Sequence, residues 1–511
     1  MRSTLRPRFH CVLAVLLALA SFAQKTVAEE RPNILFILTD DQRDNTFSGM
    51  GHPWIKTPHV DDLLKKSTRF SNAYIAEPIC RPSRASLLLG CHERVHRIGF
   101  SSKRKLTRKQ WQGSYPVMLK QAGYYTGLVG KWHIDQEKGL EPEDLFDVFD
   151  GHNGHGPFLF PVKSDSGEKT KVTTNQKKTD DAFAFIDNAP KDKPFCLSLC
   201  YATPHSSKFR LMWKQFAEPS FHNPDLADHP FFGKAGPYRD LEIKTPLDAN
   251  PNPYDHIPRS VIDHDKGRNK TYNFCYDTEM CYELHMRYHQ MVTEIDQMMG
   301  EIVAGLEKRN LTGKTLIIFG SDHGLLMGDY GMGGKGLLYD LASKFPCFIF
   351  DPNAPEETRG LTRTELVSSL DITSTILDYA GLEEMPHMVG TSLKPLLYDK
   401  ATPENWRQGL ALESLYLGRD GPIQDGYVTA DGWKYIRYYK AAEGGYEASL
   451  DTTGKAPVFE QLFDLNTDPG ETKNVIADKA NGERLEKLRK SCEDSVGDWF
   501  EQFDRYAERY F

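Results

Sequence analysis

The stretch "NILFILTDD" (residues 33–41) sets five apolar residues in a row and then stops on two aspartates, Asp40 and Asp41. No polar residue alternates within it, so neither side is meant for water, and the run reads as a strand covered on both faces. The same design recurs three times. "YYTGLVGKWH" (124–133) ends in Lys131 and His133, "PFCLSLCYATPH" (194–205) in His205, and "KTLIIFGSDHG" (314–324) in Asp322 and His323. Helical patterns lie between them: "SYPVMLKQAG" (114–123), "LHMRYHQMVTEIDQMMGEIVAGLEKRN" (284–310) and "ELVSSLDITSTILDYAG" (365–381). Strands alternating with helices predict an α/β chain with a mostly parallel sheet sandwiched by helices. In such sheets ligands bind beyond the carboxyl ends of the strands. All four runs deliver their polar residues there.

Composition agrees with a soluble enzyme: 511 residues, 39% hydrophobic and 26% charged. That length suits one large domain and a smaller one. Residues 1–28 read as a signal peptide, with a basic start, the apolar core "CVLAVLLALASFA" and small residues before a cut after Ala28. The apolar run is too short to span a bilayer well, so export without stable membrane insertion is expected. The destination is periplasmic or secreted, or lysosomal or secretory in a eukaryote. Removing Arg2, Arg6, Arg8 and Lys25 takes the formal charge from −8 to −12. So acidic a chain lacks the footprint of a nucleic-acid binder, and an anionic substrate needs a local cluster of cations. Of nine cysteines, Cys11 lies in the signal, and the remaining eight are too few to build the scaffold from disulfides. Cys275 and Cys281 are close enough in sequence to pair.

In "CRPSRASLLLG" (80–90), Pro82 suits a first helical turn and Gly90 a C-terminal cap. Cys80 then stands at a helix N-terminus, where free N–H groups and the macrodipole favour an anion. The helix alone leaves two other readings open, a buried thiol and a low-pKa thiolate nucleophile.

With those residues in view, the chain resembles the type I sulfatases, which belong to the alkaline phosphatase-like superfamily. "CRPSRASLLLG" is similar to the signature in which the cysteine is oxidised to formylglycine, including the Pro and Arg that a formylglycine-generating enzyme reads. "ILTDDQR" resembles the first metal motif, "GKWH" the Lys-x-His motif, "TPH" a later histidine, "SDHG" the second metal motif, and "GGKG" with "SKFPCFIF" a second lysine region. "LVSSLDITSTILDYAG" and "LFDLNTDPGETKN" extend the likeness to about residue 480.

The resemblance implies that a hydrated aldehyde at Cys80 attacks the sulfur of a sulfate ester, and that its second hydroxyl then expels sulfate. Asp40, Asp41, Asp322 and His323 would bind one divalent cation together with an oxygen of modified Cys80. Oxygen-rich ligation suits calcium, with magnesium or manganese as alternatives. Arg84, one turn beyond Cys80, would orient the diol. Lys131 and Lys335 would grip sulfate oxygens, His133 would take the proton during elimination, and His205, aided by Lys335, would protonate the leaving alcohol.

Three functions follow: hydrolysis of sulfate esters on a carbohydrate or polysaccharide fragment, a formylglycine-dependent phosphonate monoester or phosphodiester hydrolase, and a catalytically dead binding relative. The catalytic domain is expected over 29–395 and a C-terminal α+β subdomain over 396–511. In the latter, "DGYVTADGWKYIRYY" and "VFEQLFDLNTDPG" alternate like antiparallel strands, and residues 481–510 read as a closing helix. "FDGHNGHGPF" places His152 and His155 in a substrate-facing loop or a plain polar turn. The run 206–272 has little periodicity and reads as a recognition insertion or a solvated loop. "NKT" and "NLT" match the glycosylation sequon.

Overall fold

The computed structural model describes residues 31–154, 156–163, 169–205, 228–233, 235–263, 275, 278–418 and 421–511. The expected signal peptide, His155, the "NKT" sequon and, of the run 206–272, residues 206–227, 234 and 264–272 lie outside the described residues.

The described strands, in chain order, are β1 (Asn33–Thr39), β2 (Thr68–Tyr74), β3 (Tyr125–Lys131), β4 (Val148–His152), β5 (Leu159–Lys163), β6 (Lys169–Thr173), β7 (Phe195–Cys200) and β8 (Thr315–Ser321). They continue with β9 (Leu326–Met327), β10 (Gly333–Gly334), β11 (Cys347–Phe350), β12 (Thr362–Ser368), β13 (Gly409–Ser414), β14 (Ile423–Thr429), β15 (Trp433–Tyr439) and β16 (Phe459–Asp464).

The main sheet has the order β12-β2-β11-β8-β1-β7-β3-β4. β1 lies at its centre, parallel to both β7 and β8. Only β11 runs against the rest, antiparallel to β8 and β2. The unbroken apolar run of β1 splits between two cores because successive side chains face opposite ways. Ile34, Phe36 and Leu38 join Leu87–Leu89 of the helix Cys80–Leu89 and Ile372 and Ile376 of the helix Leu370–Tyr379. Leu35 and Ile37 join Val292, Ile295 and Ile302 of the long helix Thr278–Lys308. The sheet is thus covered on both faces, as the sequence pattern requires.

A second, antiparallel sheet of order β13-β14-β15-β16 follows. One side, through Tyr435 and Leu462, packs on Leu485, Leu488 and Cys492 of the closing helix Gly482–Tyr510. The other side, through Leu412, Val428, Ile436 and Phe463, packs on Leu326, Leu337, Leu338 and Tyr339. That second contact clamps a loop on which the active site depends. Residue 396 falls within the short helix Lys394–Tyr398 that precedes this sheet.

An ion cluster fully shut from water ties the C-terminal sheet to the helix Glu93–His96. Arg94 donates through Nη1 to Glu413 at 3.0 Å and through Nη2 to Asp425 at 2.5 Å. Removing that cation would leave buried Glu413 without its arginine and Asp425 with Arg437 as its remaining arginine. Arg94→Ala should therefore cost about 3–5 kcal/mol, read as a large fall in the thermal or denaturant midpoint. A midpoint unchanged from wild type would show that the cluster does not anchor the C-terminal sheet.

The eight cysteines among the described residues are all buried free thiols. The expected Cys275–Cys281 pair is therefore not a disulfide. Cys275 Sγ points to the carbonyl of Leu326 and Cys281 Sγ to that of Met327, so both behave as small apolar groups packed under the β9 backbone.

Candidate active site

The carboxyl ends of four central strands meet at one place. β1 delivers Asp40 and Asp41, β3 delivers Lys131 and His133, β7 leads to His205, and β8 leads to Asp322 and His323. Backbone bonds lock the strand ends together: Asp40 N donates to Thr203 O at 3.1 Å and Asp322 N to Thr39 O at 3.1 Å. Two turns need special backbone. Gly130 has φ of 107°, and a Cβ there would stand 2.0 Å from Cys200 O, so only glycine can precede Lys131. Asp41 and His133 hold φ of 66° and 58°, unusual for residues with a side chain. Strain of this kind, where the surroundings enforce it, is concentrated at functional sites.

Cys80 is the first residue of its helix, with extended Ile79 as cap and left-handed Gly90 (φ 70°) closing the far end. Its Sγ receives Lys335 Nζ at 2.9 Å. The same ammonium donates to Asp41 Oδ1 at 2.7 Å and lies 3.1 Å from His205 Nε2. His205 Nε2 is 3.5 Å from Asp41 Oδ2. Lys335 is held by the C-terminal sheet: Ser414 Oγ and Gln424 Nε2 both donate to Gly336 O, at 2.7 and 3.2 Å, and Gln424 Oε1 accepts from Leu338 N.

Lys131, fully buried, pairs with Asp40. Arg84 Nε donates to Asp322 Oδ2 at 2.9 Å and its Nη1 to Lys131 O at 2.7 Å. The arginine expected on the nucleophile's face thus grips a carboxylate beside it, while buried Nη2 has no hydrogen-bond partner among the described residues. His323 lies 3.3 Å from Asp41 Oδ1 through Nδ1 and 3.4 Å from Asp322 Oδ1 through Nε2. All ten residues singled out from the sequence are therefore in one cluster.

Two overlapping sets could hold a metal ion, each with ligand atoms within 4.8 Å of one another: Asp40, Asp41, Cys80 and His205, and Asp40, Cys80, Asp322 and His323. The electrostatics fit a cation. Burial pushes Asp41 up to about 6, against Lys335 and with Asp40 adding to the rise. Burial and Asp40 likewise raise Asp322, against His323 and Arg84. Burial also raises Asp40 and the Cys80 thiol, but Lys131, His205 and Lys335 together outweigh it at Asp40, and Lys131, Lys335, His323 and a hydrogen bond from His133 together outweigh it at Cys80, so both sit well below their usual range. Three carboxylates and an anionic nucleophile packed without water are the donor set a hard divalent ion satisfies.

Several contributors carry no sequence signal. Tyr288, inside the long helix, donates to Asp41 O at 2.8 Å and accepts from Arg43 N at 2.9 Å. Ser83 Oγ donates to Asp322 O at 2.7 Å. Arg81 and Phe100, at the rim, come from the residue after Cys80 and from an otherwise unremarked loop. His152 ends β4 opposite Lys131 in register, within hydrogen-bonding distance of the Trp132 backbone through its carbonyl at 3.0 Å.

Comparison with known proteins follows the same lines. A family model described as sulfatase matches residues 32–382, and one described as N-sulphoglucosamine sulphohydrolase, C-terminal, matches 328–496. The N-acetylglucosamine-6-O-sulfatase of Bacteroides thetaiotaomicron is 26% identical, covering 94% of this chain and 89% of its own. A protein solved with its substrate D-glucosamine-2-N,6-O-disulfate superposes with a TM-score of 0.66 at 23% identity, over 92% of this chain and 99% of that one. The phosphonate monoester hydrolase of Agrobacterium radiobacter superposes at 0.63 and 21% identity, over 90% and 96%.

Proposed function

The chain belongs to the sulfatase family, and from that premise we propose that it removes sulfate from a carbohydrate, with Cys80 in its formylglycine form as nucleophile and one divalent cation held by Asp40, Asp41, Asp322 and His323. Its reaction class is sulfuric ester hydrolysis. The observation that carries the reading is the position of Cys80: first in its helix, touched by Lys335, and shared by both candidate ligand sets.

Sγ of Cys80 stands where an oxygen of the hydrated aldehyde would stand. The modified side chain would supply one hydroxyl for attack on sulfur and a second to expel sulfate, so no water has to approach that centre. The cation, calcium by its oxygen-rich donors, would supply a fixed positive charge for the anionic ester. The remaining tasks fall to this chain's own groups. Lys335 contacts the nucleophile and can hold a sulfate oxygen beside it. Lys131 helps hold Asp40 low, and His323 and Arg84 oppose the rise that burial and Asp40 impose on Asp322, so both carboxylates are poised to meet a cation. His133 reaches Cys80 and can take its proton, whereas His205, against Lys335, can give one to the departing alcohol.

The carbohydrate is supported by the named activity of the B. thetaiotaomicron relative, together with export read from residues 1–28. Among the described residues no helix is long and apolar enough to cross a membrane. We place the start of the C-terminal subdomain near residue 396 and expect a formylglycine-generating enzyme as a partner in maturation.

The deciding experiment is a screen of sulfated mono- and disaccharides for released sulfate, using protein matured with that enzyme, beside a phosphonate monoester. Turnover of the phosphonate in preference to every sulfate would overturn the reading. Within the screen, His205→Ala should slow sugar sulfates roughly 10²- to 10⁴-fold and activated aryl sulfates far less, because a phenolate leaves unaided. His133→Ala should lower kcat on both. Equal losses on both substrates for His205→Ala would move the acid role to Lys335.

A further inference from the structure

At the mouth of the site a phenyl ring stands in the open. Phe100 exposes 37% of its surface, although Ile98 two residues earlier is fully buried. Two contacts join it to the nucleophile. Arg81, next after Cys80, lays its guanidinium over the ring 4.6 Å from the centroid. His133, which reaches Cys80, packs against the ring near-perpendicular at 5.5 Å. Tyr416 adds a perpendicular contact at 6.2 Å, and Leu417 N donates to Ser101 Oγ at 2.9 Å, tying the Phe100 loop to the chain beyond β13. Arg81 in turn is held by Asp135 at 2.7 Å, a pair that is itself partly exposed.

The ring is therefore fixed from three sides and cannot turn inward. Holding an aromatic surface in water forgoes the free energy of burying it, which a ligand covering the ring would recover.

We propose that Phe100 is a specificity-determining residue, the platform on which the pyranose ring bearing the scissile sulfate stacks, with the Arg81–Asp135 pair meeting hydroxyls at the edge of that sugar. A pyranose has C–H groups on its faces and hydroxyls around its rim. The electron-rich face of a phenyl ring attracts the former, and a neighbouring ion pair accepts and donates to the latter. Arg81 lies over one face of Phe100, so the sugar would stack on the other. The inference rests on the carbohydrate reading of the previous subsection.

The test compares the best sugar sulfate from the screen with 2,2,2-trifluoroethyl sulfate, an activated ester that has no ring. Phe100→Ala should raise KM for the sugar sulfate roughly three- to tenfold, with kcat within about twofold and trifluoroethyl sulfate scarcely affected. Phe100→Trp should keep KM near wild type. An unchanged KM for the sugar ester in Phe100→Ala would overturn the platform while leaving the carbohydrate reading intact. Equal kcat losses on both substrates would overturn it too, and would make Phe100 a positioning residue for His133. Wild type that cleaves trifluoroethyl sulfate but no sugar sulfate would remove the carbohydrate reading and the platform with it. The melting temperature of each variant, expected within a degree or two of wild type for so exposed a ring, separates these outcomes from misfolding.

Discussion

Cys80→Ala should give a folded protein that hydrolyses no sulfate ester at a measurable rate. The side chain is buried at the first position of a helix whose remaining cap and core contacts do not involve sulfur. Alanine fits there without strain, and loss of one small buried group should lower the melting temperature by only a few degrees. Chemistry fares differently. Removing a nucleophile that works as one unit with its acid and base typically costs about five to six orders of magnitude. Cys80→Ser should be almost as inert unless the host oxidises serine, since a lone hydroxyl can attack but cannot then expel sulfate. Mass spectrometry of the peptide carrying residue 80 is the companion measurement. Fully active enzyme with an intact thiol at Cys80 would refute the formylglycine reading.

The second large effect is at Asp322. Its Oδ2 takes Arg84 and its Oδ1 lies beside His323 and accepts from Asp41 N at 3.2 Å. Asp322→Ala removes one proposed ligand and strands a buried guanidinium, so activity should fall by at least roughly 10²- to 10³-fold and stability should fall as well. Chelation of wild type should abolish turnover and lower the melting temperature, both recovered by calcium. A ligand present at 100 times its dissociation constant contributes about 2.7 kcal/mol to the folded state, which a melting curve resolves without any assay of turnover. Active protein with no divalent metal by elemental analysis would sink the metal centre, and two zinc ions would instead indicate a phosphatase-like relative.

What could be seen in the chain beforehand was whatever is written locally. A buried strand announces itself by an uninterrupted apolar run, and the polar residues that end β1, β3, β7 and β8 are its next neighbours in sequence. Pairing is not local. Nothing in "CFIF" declares that β11 will enter antiparallel between β2 and β8, and "TRFSNAY", with its half-buried polar positions, hides a strand of the main sheet. Arg84 was found by its spacing from Cys80, but its partner Asp322 is 238 residues away and spacing could not name it. Part of the rim was invisible for the same reason: Tyr416 meets Phe100 only because a loop after β13 folds back across more than 300 residues. The Cys275–Cys281 disulfide failed because closeness in sequence says nothing of where thiols point, and here both turn to backbone carbonyls of β9.

The central position of β1 also sets a clock. Its neighbours β7 and β8 come late: Leu38 pairs with Cys200 and Thr39 with Ser321. A ribosome adding about 5–20 residues per second needs on the order of tens of seconds to cover that distance. Until then β1 can pair with β7 but lacks its other neighbour, and Asp322 and His323, which lie beside Cys80, are not yet in place. Once β8 closes against β1, residue 80 is sealed at 2% exposure. On the formylglycine reading, modification of residue 80 would have to precede that closure, and a chain folded first would be native in shape yet inert.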